Sequence, residues 1–174
     1  MILEYLISSI WFILPAYIAN AAPVFIKTIT TPHPIDRGKL FYDKKPILGP
    51  GKTREGFIFA VLLGVIIGYV QSNFNYLVPN VEIKMTIWLA FLLATGAMFG
   101  DIVASFFKRR LGFKRGDSVF LLDQLDFIIM AIIFASILVS PSMQIWIVLL
   151  IITPMLNFIS NGIAYILKLK DVWW

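Results

Sequence analysis

Residues 85–107 read MTIWLAFLLATGAMFGDIVASFF, and this stretch decides what kind of protein the chain is. From Met85 to Gly100 only Thr86 and Thr95 are polar. With the residues that follow, the run is long enough to cross a hydrocarbon core about 30 Å thick as one helix. Asp101 then stands inside it, followed by the apolar pair Ile102-Val103. An acid in or beside a bilayer is costly unless it is paired or has a task. A membrane helix that keeps one marks a candidate functional site.

Composition extends the membrane reading to the whole chain. Hydrophobic residues make up 59% and charged residues 14%, and the mean hydropathy of +0.85 lies far above that of a soluble domain. The expected fold is an all-α integral membrane protein, a bundle of five transmembrane helices with two cytoplasmic motif-bearing loops. The spans are read as Ile2–Ile29, Phe57–Val78, Met85–Phe107, Leu125–Val139 and Gln144–Leu167, the fourth being the shortest. The first is expected to persist as a helix and not to be cleaved, because Glu4 stands where a signal peptide has a basic region and the apolar run is too long. Pro15 and Pro23 are expected to bend it. No internal repeat or linker divides the sequence, so a single domain, 1–174, is expected.

The cations fix an expected orientation. Arg37, Lys39, Lys44, Lys45, Lys52 and Arg54 lie between spans one and two, and Lys108, Arg109, Arg110, Lys114 and Arg115 between three and four. Lys168 and Lys170 are in the tail, whereas the other side holds Lys84. Positive-inside counting puts the N-terminus outside and the C-terminus and both motif-bearing loops in the cytoplasm of a multi-pass cell-membrane protein. The net charge of +5 also suits anionic headgroups; no nucleic-acid partner is expected. The chain has no cysteine, which excludes disulfides and thiolate metal sites. Its one histidine, His33 in Pro-His-Pro, is read as a loop or interfacial residue.

Two regions carry chemistry. In the first loop, Gly49-Pro50-Gly51-Lys52-Thr53-Arg54-Glu55-Gly56 invites comparison with a P-loop, but Pro46 stands where the Walker pattern needs its first glycine. What remains is Gly51, Lys52 and Thr53 at the start of a helix, where small residues and the positive helix end suit an anion. In the second region, Asp101, Ser105 and Lys108 fall at i, i+4 and i+7 and share one face near the end of the third span. Asp123 and Asp126, at i and i+3, share a face at the entrance of the fourth, where acids also complement the helix dipole. Two carboxylate-bearing faces converging on one cation suit Mg²⁺, which keeps waters and binds substrate phosphates. Deeper polar residues, Asn20 and the stripe Thr153, Asn157, Ser160 and Asn161, are read as interhelical hydrogen bonding or as a cavity lining. Gly64 and Gly68 suggest close helix packing, within the bundle or between subunits.

The order Gly100-Asp101, Ser105, Lys108-Arg109, Lys114-Arg115-Gly116-Asp117, Asp123-Gln124-Leu125-Asp126 resembles the signature of the CTP-dependent phosphatidate cytidylyltransferase family. Lys52, Thr53, Glu55 and Gly56 match its Lys-Thr-x-Glu-Gly segment. Bacterial members usually show His-Gly-Gly and Asp-Arg before the last Asp, whereas this chain has Phe120-Leu121-Leu122-Asp123-Gln124-Leu125-Asp126. That variant, with the short length, is similar to the archaeal branch. The resemblance implies CTP and an isoprenoid diether glycerol phosphate as substrates, in the membrane, with Mg²⁺ as cofactor. It implies Asp101 and Asp123 as principal metal ligands, with Asp117 and Asp126 beside them. Lys52, Lys108, Arg109, Lys114 and Arg115 would hold phosphates, and Lys52 and Lys108 with the two metal acids form the catalytic set. Ser105 and Thr53 would donate hydrogen bonds to phosphate or nucleotide; Glu55 would orient Lys52 or the base. A diacyl lipid is the alternative substrate. A small cation transporter would call for acids at several depths, and a lipid-binding scaffold would not need Asp101. The oligomeric state is left open.

Overall fold

The computed structural model describes residues 2–23, 33–114, 117, 119 and 121–166. These form five α-helices: α1 (Ile2–Ala21), α2 (Arg54–Asn73), α3 (Ile87–Arg110), α4 (Leu122–Ala135) and α5 (Met143–Ile166), with a short 3-10 turn at Asn75–Leu77. Thr53 and Thr86, both extended, begin α2 and α3 by accepting the N–H of Gly56 and of Leu89, each at 3.2 Å. Gly112, at φ +88°, ends α3. Its N–H donates to Arg109 C=O at 3.2 Å and that of Phe113 to Lys108 C=O at 3.0 Å. This Schellman closure folds Phe113 and Lys114 back beside the helix end, and three cations in the last turn complement its dipole. On the far side, Glu82 accepts the backbone N–H of Ser142 at 2.8 Å and its hydroxyl at 2.6 Å, tying the α2–α3 connection to the start of α5.

α3 is the hub, packed against α4, α2 and α1, while α5 leans on α1 and α4. The core joins Phe12 and Ile13 of α1, Leu89 and Leu93 of α3, Phe127, Ile128 and Ile132 of α4, and Ile145 and Leu149 of α5. Large apolar side chains also cover the outside, among them Ile58, Leu62 and Ile66 on α2 and Ile147 and Ile151 on α5, as in helices meant for lipid. With no hydrophobic difference between lipid and core, close approach has to supply the attraction. A Cβ on Gly96 would come within 2.6 Å of Met130 C=O, and one on Gly100 would collide with Asp126 C=O. Gly64 and Gly68 face Ala94 and Ala90 with Pro15 nearby, so they close the bundle from within. Tyr17 and Thr153 share a 2.8 Å hydrogen bond between α1 and α5; the side chains of Ser160 and Asn161 lie outside the described residues.

α1, α2 and α3 are each long and apolar enough to cross a membrane. Several boundaries differ from expectation. α1 continues through Pro15 and ends at Ala21, just ahead of Pro23, because a proline disfavours helix in the residue before it; residues 24–29 of the expected first span lie outside the described residues. α2 starts three residues early, at the Thr53 cap, and stops at Asn73, not Val78. α4 runs Leu122–Ala135 instead of Leu125–Val139: the Ser136 hydroxyl bonds back to Ile132 C=O at 2.8 Å as the chain turns away.

Candidate active site

The first loop is built around an acid that the sequence reading passed over. Asp36 is 8% exposed and accepts three backbone N–H groups, from Gly38 at 2.9 Å, Leu48 at 2.9 Å and Gly49 at 2.8 Å. Burial alone would raise its pKa; the N–H groups of Gly49, Leu48 and Gly38 outweigh that and hold the carboxyl below its ordinary value. Ile35 N–H donates to Lys52 C=O at 2.8 Å and Arg54 N–H to His33 C=O at 3.0 Å, so both ends of the loop pair at the start of α2. An Asp two residues after Pro-His-Pro is a visible signal only as an Asp-x-Gly turn; its second oxygen reaches twelve residues ahead, which spacing does not reveal.

This folded loop sets Lys52 against α3. Lys52 Nζ lies 2.5 Å from each oxygen of Asp101, and Lys108 Nζ lies 2.7 Å from Asp123 Oδ1. Both pairs are mostly enclosed, with side-chain exposures between 15% and 28%. Asp123 Oδ2 also accepts the N–H of Val119 at 3.0 Å, anchoring the approach to α4. Asp126 stands one turn further along α4, its backbone carbonyl against Gly100, the neighbour of Asp101. The intimate α3–α4 contact at Gly100 is what brings these acids from two helices together.

Beside the pairs opens a cleft of about 550 Å³, a size typical of small-molecule sites. One wall is Lys45, Pro46, Leu48 and Gly49 through Lys52; the other is Ser105, Lys108, Arg109 and Gly112 through Lys114. Gly51, Lys52, Ser105, Lys108, Arg109 and Lys114, all expected at a phosphate site, thus line one cavity. Ser105 is buried, and Arg109, donating one N–H to Phe113 C=O at 2.6 Å, keeps a buried Nε with no hydrogen-bond partner among the described residues. Lys45 and Phe113 were not expected there. Both arrive through loop closure, Lys45 with the folded first loop and Phe113 with the turn at Gly112.

Other expected residues do different work. Glu55 bonds to His33, accepting its backbone N–H at 2.8 Å and pairing with Nδ1 at 2.7 Å, on a separate surface with Pro34, Arg37 and Arg54. Lys52 precedes the Thr53 cap and so stands outside the helix that carries Glu55, and His33 reaches Glu55 through the paired loop ends. The Gly49 N–H is taken by Asp36 and is not free to cradle an anion. Thr53 spends its oxygen on the α2 cap while lining a small hollow with Gly51, Lys52 and Asp101. Asp117 is exposed and accepts the Lys114 N–H at 2.6 Å, a turn contact. Arg115 lies outside the described residues.

Among the described residues no three Asp, Glu or His side chains gather as a ready-made metal cage. Asp101 and Asp123 nonetheless carry hard oxygens, held against two lysines that line the cleft, and Mg²⁺ ordinarily takes only one or two protein carboxylates, completing its shell with water and substrate phosphate. The donor set fits that open kind of site.

Comparison with known proteins places the chain. A family profile described as CarS-like, CDP-archaeol synthase, matches residues 2–174. The CDP-archaeol synthase of Methanococcus maripaludis strain C7 is 45% identical over 99% of both chains. That of Methanocaldococcus jannaschii is 40% identical over the whole of both, and that of Thermococcus kodakarensis 41% identical over 94% of both. A solved structure described as an intramembrane enzyme for archaeal membrane lipids biosynthesis superposes with a TM-score of 0.74 at 32% identity, covering 87% of this chain and 91% of its own. Similarity at this level, running from end to end, means that the cleft between the first loop and the end of α3 sits in a chain that belongs to the CDP-archaeol synthase family.

Proposed function

We propose that the chain transfers CMP from CTP to the phosphate of an unsaturated isoprenoid diether glycerol lipid, giving the CDP-activated lipid and pyrophosphate. The observation that carries this reading is the cleft itself: Lys52, Ser105, Lys108, Arg109 and Lys114 converge on one cavity, with Asp101 and Asp123 held against two of those lysines. Family membership supplies the nucleotide and the lipid.

A phosphate monoester has its second pKa near 6 and is already a nucleophile at neutral pH. One of its oxygens attacks the α-phosphorus of CTP, the bond from that phosphorus to the β-phosphate oxygen breaks, and pyrophosphate leaves with the electron pair. No side chain has to remove a proton. Lys52, Lys108, Arg109 and Lys114, with Arg115, hold the triphosphate and stabilise the charge that builds on it. Ser105 and Thr53 donate hydrogen bonds to phosphate or nucleotide. Asp101 and Asp123, with Asp126 and Asp117 near, would hold Mg²⁺, which when bound would supply charge neutralisation and alignment of the phosphate oxygens. All five helices span the membrane in this reading, with the N-terminus outside and the C-terminus and cleft in the cytoplasm, where CTP is available.

Competition tests the reading. Purified protein in detergent receives labelled CTP, Mg²⁺ and equal concentrations of geranylgeranyl diether phosphate and diacyl phosphatidate. The expected result is CDP-diether as the main product, one pyrophosphate per CDP-lipid, and loss of both with EDTA. Branched chains are discriminated by apolar contacts of about 1–3 kcal/mol per methylene-sized difference, and several branches add. Equal use of phosphatidate discards the diether assignment; no CDP-lipid from either discards cytidylyl transfer.

A further inference from the structure

Arg110 is the last residue of α3, yet its side chain does not line the cleft. It reaches across to the first loop instead. Its guanidinium carbon lies 4.7 Å from the ring centre of Phe41 and 5.0 Å from that of Phe106, two rings set edge to face at 5.4 Å. One terminal nitrogen sits 3.2 Å from Asp43 Oδ1; the other donates to the backbone oxygens of Pro46 and, at 3.4 Å, Lys45. Lys45 Nζ returns the contact by donating to Arg110 C=O at 3.0 Å. The side chain is 17% exposed, unusually enclosed for an arginine whose task is only to mark the cytoplasmic side.

These contacts join the two walls of the cleft. Lys45 and Pro46 begin one wall and the α3 end with its Gly112 turn forms the other; Arg110 bonds directly to the first and belongs to the second. We propose that Arg110 is a positioning residue that fixes the separation of the two walls and so sets the affinity for the triphosphate, which rests on the reading that this cleft takes CTP. A planar guanidinium can lie against two rings and direct several N–H groups at fixed angles; a lysine ammonium keeps the charge but can do neither. No hydrogen bond or ion pair connects Arg110 to Lys52, Asp101, Lys108 or Asp123 among the described residues, so its loss loosens the walls and leaves the reacting groups paired. Binding groups that must be ordered on arrival cost affinity.

Arg110→Lys separates this role from topology, because positive-inside counting is satisfied equally by either cation. In Arg110→Lys the KM for CTP rises about tenfold, the equivalent of about 1.4 kcal/mol, with kcat within about twofold and the KM for lipid phosphate unchanged. Phe41→Leu gives a smaller rise of the same kind and serves if the lysine variant does not insert. An unchanged KM for CTP in a folded variant, or a fall in kcat alone, overturns the proposal. A second readout does not depend on turnover. Spin labels on Lys44→Cys and Leu111→Cys, both in this cysteine-free chain, report a narrow distance distribution that broadens when Arg110→Lys is added. An equally narrow distribution overturns the clamp even if the chain transfers no CMP, whereas absence of transfer with a broadened distribution sinks the CTP reading and leaves the clamp standing.

Discussion

Lys52 Nζ stands equidistant, at 2.5 Å, from both carboxylate oxygens of Asp101, joining the residue before the α2 cap to the first residue of the α3 acid–serine–lysine face. Lys108 and Asp123 form a second pair, between α3 and α4, through one carboxylate oxygen. Each acid is thus held by a cation that also lines the cleft.

Asp101→Asn and Asp123→Asn keep shape while removing charge. Both variants are expected to insert and elute as folded protein, and to lose at least about a hundredfold in kcat/KM, as typically follows removal of a charge-stabilising group. The check is CDP-lipid formation beside size-exclusion chromatography in detergent. Activity within a few fold of the parent removes that residue from the catalytic set.

Gly100→Ala drives a methyl group into the Asp126 backbone carbonyl across the α3–α4 contact. Overpacking of this sort costs about 1–3 kcal/mol, so thermal unfolding in detergent should come several degrees lower. Gly162→Ala, which meets nothing within 4 Å, is the control. Equal melting of the two would mean that the helices are not in such intimate contact.

The Asp36 carboxyl, held below its ordinary value of 3.8, stabilises the loop at every pH above that value. This contribution fades as pH falls below about 4 toward the depressed folded pKa, because the unfolded loop then binds a proton more readily than the folded one. Leu48 and Gly49 amides should therefore lose exchange protection, corrected for intrinsic rate, below about pH 4 and not between 5 and 7. In Asp36→Asn the protection should be low throughout. Full protection in that variant would show that the loop does not depend on the acid.

Single cysteines at Asn80 and Lys44 should label from opposite sides of a sealed vesicle, since cations gather around Lys44 and are sparse around Asn80. Labelling of both from one side would dismantle the five-span arrangement.

Helices announced themselves in the sequence because lipid-facing and core-facing residues are alike apolar, leaving long uninterrupted runs; their ends did not, because Thr53, Gly112 and Ser136 settle them through individual hydrogen bonds. Asp101, Ser105 and Lys108 were legible as one face, since α3 is regular there. Asp36 and Arg110 were not, because each acts across a chain separation that only the folded loop closes. Glu55 sits inside a recognisable segment, and its partner His33, 22 residues earlier, is likewise invisible to spacing.

The order of the paired residues along the chain bears on biogenesis. In both pairs the base precedes the acid: Lys52 comes before Asp101 and Lys108 before Asp123. A ribosome delivering the chain from its N-terminus therefore offers each carboxylate to the membrane only after its cation has been made. Neither acid has to wait for a later helix to shield it from lipid, a wait that would be costly for an unpaired charge in hydrocarbon. The same lysines that line the cleft in the finished enzyme would thereby escort, during synthesis, the acids that follow them.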